Sequence, residues 1–209
     1  MSGRGDSNRA SGTEHADLVP GFGDPVHDAQ ASFRTILDAM AHPGRIKELP
    51  IDLAAAPPAP LGTAAAAIAL ALCDIDTPIW LGRPLAPVWP YLAFHCGAPA
   101  TADPAQARFA FAADPASLPP LESFALGSDE YPDRSTTLVI EVAGLIAGRG
   151  MRLAGPGIRG ESLLSVAGLL AHFWEERAAL AEILPRGLDV IFVSGSRLAA
   201  LPRWTRVSP

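Results

Sequence analysis

The clearest pattern near the start of the chain is amphipathic and covers residues 25–41. Apolar side chains recur there at three- and four-residue spacing, which predicts a helix with one buried face. Asp24 and Pro25 suit its beginning, since aspartate caps helices and proline fits the first turn. His42-Pro43-Gly44 ends it, because proline and glycine stop helices. The residues assigned to the buried face are Ala29, Phe33, Ile36, Leu37 and Met40.

Further along, apolar runs alternate between helical and extended patterns. Residues 63–74 are apolar almost all round and predict a buried helix capped by Thr63, while residues 161–184 predict a long helix. Short runs rich in β-branched and aromatic residues predict strands. These lie at 76–82, 107–113, 136–144, 151–154 and 187–195, with 196–203 as a hairpin partner and 91–99 as a further short element, interpreted as a strand. The alternation predicts an α/β fold, a single domain with a mixed sheet flanked by helices.

The most polar and the most apolar segments of the chain indicate where the domain begins and whether a segment could cross a membrane. Residues 1–18 are polar, small and charged, which predicts a disordered tail before one domain at 19–209. The tail has no apolar core typical of a secretory signal. The longest apolar run, residues 64–73, is well short of the about twenty residues that cross a bilayer. We therefore expect a cytoplasmic protein without a membrane partner.

Composition and residue spacing limit the partners and the kinds of site that the chain can be expected to have. The net charge of -6 and the lack of a basic stripe predict no nucleic-acid partner. Cys73 and Cys96 form no metal or redox motif, which favours free thiols in a reducing compartment. The histidines show no metal-binding spacing, so no metal centre is predicted. His95 and Cys96 are neighbours on a predicted strand and would point to opposite faces, which argues against a catalytic pair.

Residues 155–160 read Gly-Pro-Gly-Ile-Arg-Gly, which matches the G-x-G-x-x-G fingerprint of dinucleotide-binding turns. Two features argue against a dinucleotide. Pro156 has no N–H to offer a phosphate, and the strand at 187–195 ends without the acidic residue that binds a ribose. A tight corner is one interpretation, and an anion site at the start of the predicted long helix is the other. The candidate anion-binding residues are Arg152, Gly155, Gly157 and Arg159.

Charged residues flank the apolar face of the first helix. Arg34 lies four residues before Asp38, a spacing that predicts a surface ion pair. A solvated face and an interface with another protein are both consistent with this pattern. The candidate interface residues are Asp28, Arg34 and Asp38.

Seven segments, in the same order along the chain, resemble the PhnH family, a subunit of the bacterial carbon–phosphorus lyase machinery for phosphonate breakdown. The first is DAQASFRTILDAMAHPG at 28–44. The others are DTPIWL (76–81), FHCGAP (94–99), the region 127–138 with Gly127, Pro132 and Ser135 to Leu138, LAGPGI (153–158), LPRGLDVIF (184–192) and LPRWT (201–205). The resemblance covers roughly residues 25–205, and its specificity lies in the ordered run. Departures from the family pattern include Cys96 and Arg186.

The resemblance implies an accessory subunit without activity of its own. Such proteins support the transfer of a phosphonate to the ribose of a nucleoside triphosphate, with displacement of the base. The implied partners are a second copy of the chain and the G, I and J subunits of the same pathway, with the L subunit for the transfer step. The alternative is a nucleotide- or phosphonate-binding enzyme subunit that uses the 152–161 loop.

The resemblance also implies the large domain of pyridoxal-phosphate-dependent transferases, without the cofactor. The residues themselves support the absence of pyridoxal phosphate. Such an enzyme needs a lysine for its internal aldimine, in a loop late in the domain. The single lysine, Lys47, follows the first helix instead. We therefore predict that the chain binds no cofactor.

Overall fold

The computed structural model describes residues 20–209, so the tail predicted at 1–18 lies outside the described residues. Within this range, the helices are α1 (Pro25–Ala41), α2 (Thr63–Leu72), α3 (Trp89–Cys96) and α4 (Ala171–Ala179). The strands are β1 (Lys47–Glu48), β2 (Ile79–Leu81), β3 (Phe109–Ala112), β4 (Thr137–Glu141), β5 (Gly144–Ala154), β6 (Ser162–Ala167), β7 (Asp189–Ser194), β8 (Arg197–Leu201) and β9 (Arg206–Ser208).

A six-stranded sheet with the order β1-β8-β7-β4-β3-β2 forms the centre of the fold. Strands β2, β3, β4 and β7 are parallel, whereas β8 and β1 run antiparallel to their neighbours. The predicted α/β fold with a mixed sheet is therefore confirmed, and so is the hairpin of β7 with β8. The four parallel strands place their carboxyl ends at one edge of the sheet.

Alternate residues of the central strands pack on opposite faces of this sheet. Val139 and Ile191 join a core with the helices α1, α2 and α3. Leu138 and Phe192 join a second core with α4 on the other face. Because both faces are buried, β4 and β7 read as continuous apolar runs rather than as an alternation of apolar and polar residues.

A second, three-stranded sheet with the order β6-β5-β9 covers the α4 side of the molecule. Its strands are antiparallel, and Leu153 of β5 pairs with Ser162 of β6 and with Val207 of β9. Leu145, Leu153 and Leu164 are buried in the second core. The predicted strand at 151–154 is thus the end of a longer strand, β5.

Helix α1 begins and ends where the sequence predicts. The Asp24 carboxylate accepts hydrogen bonds from the backbone N–H groups of Val26 and His27, at 3.2 and 3.1 Å. His42 ends the helix. The predicted buried face is partly wrong, however, because Phe33 and Leu37 are exposed by 48% and 57%.

The buried line of α1 instead contains Ser32, Ile36 and Ala39, while Ala29 and Met40 are half-buried. This face packs on α2, whose residues 64–67 are four consecutive buried alanines. Small side chains on both helices permit a close approach. Phe33, with its large ring, lies outside this buried line.

The predicted helix at 161–184 is wrong over its first half. Residues 162–167 form β6, and helical structure begins only at Ala171. Hydrogen bonding to β5 outweighs the local helical spacing, since Leu164 becomes fully buried as a strand residue. Gly168, which separates strand from helix, adopts a φ of 94° that a helix does not contain.

Two smaller expectations are also corrected. Residues 89–96 form helix α3, so His95 and Cys96 lie on a helix and not on a strand. Successive helical residues are about 100° apart, so these side chains still diverge. The N-cap of α2 is Gly62 and not Thr63, and no side chain of a capping residue bonds its first turn.

Candidate functional site

The glycine segment forms the corner between β5 and β6. The N–H of Ile158 donates to the carbonyl of Gly155 at 3.1 Å and closes the turn. The chain returns antiparallel through β6, so the corner joins two strands and no helix follows it. The helix N-terminus on which the predicted anion site depended is therefore absent from this place, and that part of the prediction is wrong.

The corner packs tightly against the end of α1. A Cβ atom added to Gly157 would overlap the carbonyl oxygen of Ala41 and lie 2.8 Å from Cδ of Pro43. The φ of Gly157 is 82°, which side-chain-bearing residues rarely adopt. Glycine at this position thus reflects the close contact of two family segments, 28–44 and 153–158.

The structure brings two of the four candidate anion-binding residues to one cavity and leaves the other two outside its lining. Arg152 donates to the Glu161 carboxylate at 2.5 Å, and Gly155 packs against the carbonyl of Trp204. Gly157 and Arg159 line a cavity of about 140 Å³. Sequence reasoning missed Arg45, which lines the same cavity although it is more than a hundred residues away in the chain.

The candidate interface residues are partly engaged within the chain. The Asp28 carboxylate accepts from the N–H of Asp24 at 2.7 Å. Arg34 donates to Gln30 at 3.4 Å, and the predicted ion pair with Asp38 is wrong. Asp38 instead pairs with Lys47 and with His42, and the hydrogen bond from Lys47 lowers the pKa of its carboxyl group. The Lys47 ammonium group competes with Arg34 for the Asp38 carboxylate and explains the difference.

Three other family segments, 127–138, 184–192 and 201–205, meet around one ion pair. Arg203 donates to both carboxylate oxygens of Asp189, with the Nη2 to Oδ2 distance at 2.6 Å. Its Nη1 donates to the carbonyl of Pro132. The side chains of Arg203 and Asp189 are only 11% and 14% exposed. This pair therefore ties the start of β7 to two loops that are distant in sequence.

Arg177 of α4 extends the cluster. It is 1% exposed, and its Nη2 donates to the carbonyls of Pro202 and Arg203 at 2.7 and 3.2 Å. Burial lowers the pKa of Arg177 to about 10, and the charge of Asp189 opposes that change. Nothing in the local sequence singled out this arginine as buried. We term Arg177, Asp189 and Arg203 the buried arginine cluster.

A cleft of about 470 Å³ lies beside the 127–138 and 184–192 segments. Leu126, Leu180 and Ile183 form part of its apolar wall, and Arg186 also lines it. The Glu176 carboxylate in the cleft accepts from the N–H of Leu121 at 2.8 Å. The volume of the cleft lies within the range of about 300–1,000 Å³ that is typical of ligand pockets.

A further crevice, of about 290 Å³, opens where the carboxyl ends of β4 and β7 face the N-terminus of α2. Ligands of open α/β sheets usually bind at such an edge, and helix N-termini attract anions. Here the Glu141 carboxylate accepts from the N–H of Gly62 at 2.7 Å. An external anion would therefore meet a carboxylate of the protein itself.

Burial raises the pKa of Glu141, and the hydrogen bond from Gly62 partly offsets this effect. A carboxyl group with a raised pKa in the folded state stabilises the protein most at low pH and progressively less as pH rises through that pKa. We expect Glu141→Gln, which keeps the acceptor, to gain stability relative to the wild type between pH 4 and pH 7. Urea denaturation at both pH values measures the difference.

Glu141→Ala is the control for this comparison. It leaves the Gly62 N–H without its acceptor and should be about 1 kcal/mol less stable than Glu141→Gln at both pH values. A wild-type protein that gains stability over Glu141→Gln as pH rises would show that the helix N-terminus outweighs burial.

The cysteines and histidines within residues 20–209 form no metal-binding cluster. Cys73 and Cys96 are free thiols, and burial raises the pKa of both, that of Cys96 to about 11. The ring of His95 packs on Tyr91 at 4.4 Å between centroids. Among residues 20–209, no three His, Cys, Asp or Glu side chains come together as a metal site. No helix of the same range is both long and apolar enough to cross a membrane.

Comparison with known proteins identifies the family. The family described as bacterial phosphonate metabolism protein (PhnH) matches residues 20–208. The chain is 46% identical over 190 residues to the PhnH subunit of alpha-D-ribose 1-methylphosphonate 5-triphosphate synthase from Rhizobium meliloti (strain 1021), which covers 89% of this chain and 93% of that protein.

A second relative is the putative C-P lyase subunit protein HtxG of Stutzerimonas stutzeri. It is 40% identical over 83 residues, which are 40% of this chain and 43% of that protein. The resemblance inferred from seven ordered segments is confirmed by a match that extends through all of them. The chain belongs to the PhnH family of bacterial phosphonate metabolism proteins.

Proposed function

We propose that this chain is a cytoplasmic accessory subunit of a carbon–phosphorus lyase core complex. In that complex it supports the transfer of a phosphonate to the ribose of a nucleoside triphosphate, with displacement of the base. The observation that carries the proposal is the 46% identity over 89% of the chain to a subunit of ribose 1-methylphosphonate 5-triphosphate synthase. Two free thiols fit a reducing compartment.

The residues of the family segments support a scaffolding role. They contact one another at the corner beside α1 and at the buried arginine cluster, where they hold loops in place. A subunit of this kind needs surfaces for its partners. We propose that α1 provides one of them, for a neighbouring subunit of the complex, with Phe33 and Leu37 as its apolar centre and Asp28, Arg34 and Asp38 around it.

The proposal predicts co-purification with the G, I, J and L subunits when all are expressed together. Leu37→Glu should reduce the recovered partner subunits at least tenfold, because a charge in the centre of an apolar contact costs about 2 kcal/mol or more and about 1.4 kcal/mol is already tenfold. Ile75→Glu is the matched control, since Ile75 is also an exposed apolar residue but lies outside α1. A wild-type chain that retains none of these subunits would contradict the proposed function.

We also propose that the chain forms a homodimer. Light scattering of the wild type and of Leu37→Glu, each expressed without the partner subunits, tests this proposal. A dimer that persists in Leu37→Glu places the self-contact elsewhere and leaves α1 to the partner subunits. A wild-type chain that is monomeric at every concentration contradicts the dimer.

We further propose that the sheet and its helices resemble the large domain of pyridoxal-phosphate-dependent transferases without the cofactor. The position of Lys47 supports this reading. Lys47 lies on the edge strand β1, and its ammonium group is paired with Asp38 of α1. The crevice at the carboxyl edge of the parallel strands is lined by residues 62–65, Glu141, Val142 and residues 193–195, which include no lysine.

A further inference from the structure

We infer that the cavity beside the glycine corner binds a phosphoryl or phosphonyl oxyanion through Arg45 and Arg159. The inference rests on the proposed function, because it assigns to that subunit a contact with a phosphorus-bearing ligand. The cavity of about 140 Å³ is lined by both arginines, by Ser162 and by the corner itself. It is smaller than a pocket for a whole nucleotide and suits one tetrahedral group.

The charges around the cavity favour an anion. Neither Arg45 nor Arg159 has a carboxylate within ion-pair distance in residues 20–209. Glu161 is the acidic residue that lines the cavity, and its carboxylate is held by Arg152 at 2.5 Å. Two guanidinium groups without an ion-pair partner among residues 20–209 therefore line the cavity, together with one carboxylate that is already paired with Arg152.

The packing of the corner keeps the two arginines on one cavity. Arg45 follows the end of α1, whereas Arg159 belongs to the corner, and the contact of Gly157 with Ala41 and Pro43 joins these two segments. The same contact covers the Ala41 carbonyl, at the negative end of the helix, with backbone of the corner. Guanidinium groups bind phosphate oxygens through charge-assisted, often bidentate hydrogen bonds.

Ser162 and the corner residues Gly157 and Ile158 complete the wall of the cavity. Such an arrangement recognises a tetrahedral oxyanion by charge and by geometry. It makes no contact that would distinguish a phosphonate from the terminal phosphate of a polyphosphate. The ligand is therefore defined by its phosphorus oxyanion, and its source has to come from experiment.

The test is calorimetric titration of the full chain with inorganic tripolyphosphate and, separately, with methylphosphonate. We expect saturable binding of at least one of them. Arg45→Gln and Arg159→Gln should each weaken it roughly tenfold, the loss of one charge-assisted partner. Arg149→Gln is the matched control, because Arg149 is an exposed arginine of the same hairpin outside the cavity. The affinity of Arg149→Gln for the same ligand should remain within twofold of that of the wild type.

The two ligands identify the source of the oxyanion, and either one supports the inference. No binding of either ligand by the wild type overturns it, and so does equal weakening by all three substitutions. Co-purification with the partner subunits is read separately. Loss of those subunits in Arg159→Gln without any phosphate binding would assign the cavity to a partner carboxylate. Intact co-purification without oxyanion binding would leave the proposed function standing and this inference refuted.

Discussion

Replacing Asp189 by alanine should lower the free energy of unfolding by about 3–5 kcal/mol, the cost of removing one partner from a buried ion pair. The substitution leaves Arg203 without the carboxylate that accepts from its N–H, Nε and Nη2 atoms. It also removes the one negative charge that opposes the effect of burial on Arg177. Two buried guanidinium groups would then face only backbone carbonyls, so β7 and the 201–205 loop should separate early in unfolding.

Asp129→Ala is the matched control, since Asp129 also pairs with an arginine from the 184–192 segment, at 3.3 Å. The Asp129 side chain is 80% exposed, so its loss should cost no more than about 1 kcal/mol. Urea denaturation of both variants measures the difference. Equal effects of the two substitutions would show that the buried arginine cluster contributes no more than a surface ion pair.

Strands with strong local signals could be predicted from the sequence. Residues 137–141 and 189–194 are rich in β-branched residues, and burial on both faces leaves no competing helical periodicity. Helix α1 was predictable for a different reason, because Asp24 and His42-Pro43-Gly44 mark both of its ends. The rotation of α1 was not, since it depends on how closely the alanines of α2 approach.

The stretch 161–184 shows where local reasoning fails. Its leucines and alanines recur at helical spacing, yet residues 162–167 pair with β5. Residues 148–150 of β5 interrupt this pairing, which continues on both sides of them with a shifted register. A register with such a bulge depends on contacts between residues that are distant in sequence. The anion site was predicted at the N-terminus of this helix, so that part of the prediction is wrong for the same reason. Gly157 and Arg159 nevertheless line a cavity.

The buried arginine cluster was accessible only indirectly. Asp189 and Arg203 both lie in segments that resemble the PhnH family, but the resemblance does not show that they contact each other. Arg177 lies outside those segments, and an arginine that follows two glutamates is typical of a solvated helix face. Its burial follows from the position of α4 over the 201–205 loop, which the wrong boundaries of the predicted helix concealed.

Gly157→Ala should destabilise the protein by about 2–5 kcal/mol. The new Cβ atom would overlap the Ala41 carbonyl, which belongs to a helix end and has little freedom to move. Overpacking of this kind costs about 1–3 kcal/mol, and an alanine in the left-handed region adds about 1–2 kcal/mol. Because the corner has to leave α1, the cavity between Arg45 and Arg159 should open, and oxyanion binding should weaken with stability.

Gly160→Ala separates the two contributions. Gly160 lies in the same corner and has a similar φ of 72°, but an added Cβ would meet nothing within 4 Å. This variant should therefore show only the cost of the left-handed backbone, about 1–2 kcal/mol. Thermal denaturation of both proteins measures the difference, which should exceed about 1 kcal/mol in favour of Gly160→Ala. If the two variants are equally stable, backbone conformation alone requires these glycines, and the contact with α1 does not hold the corner in place.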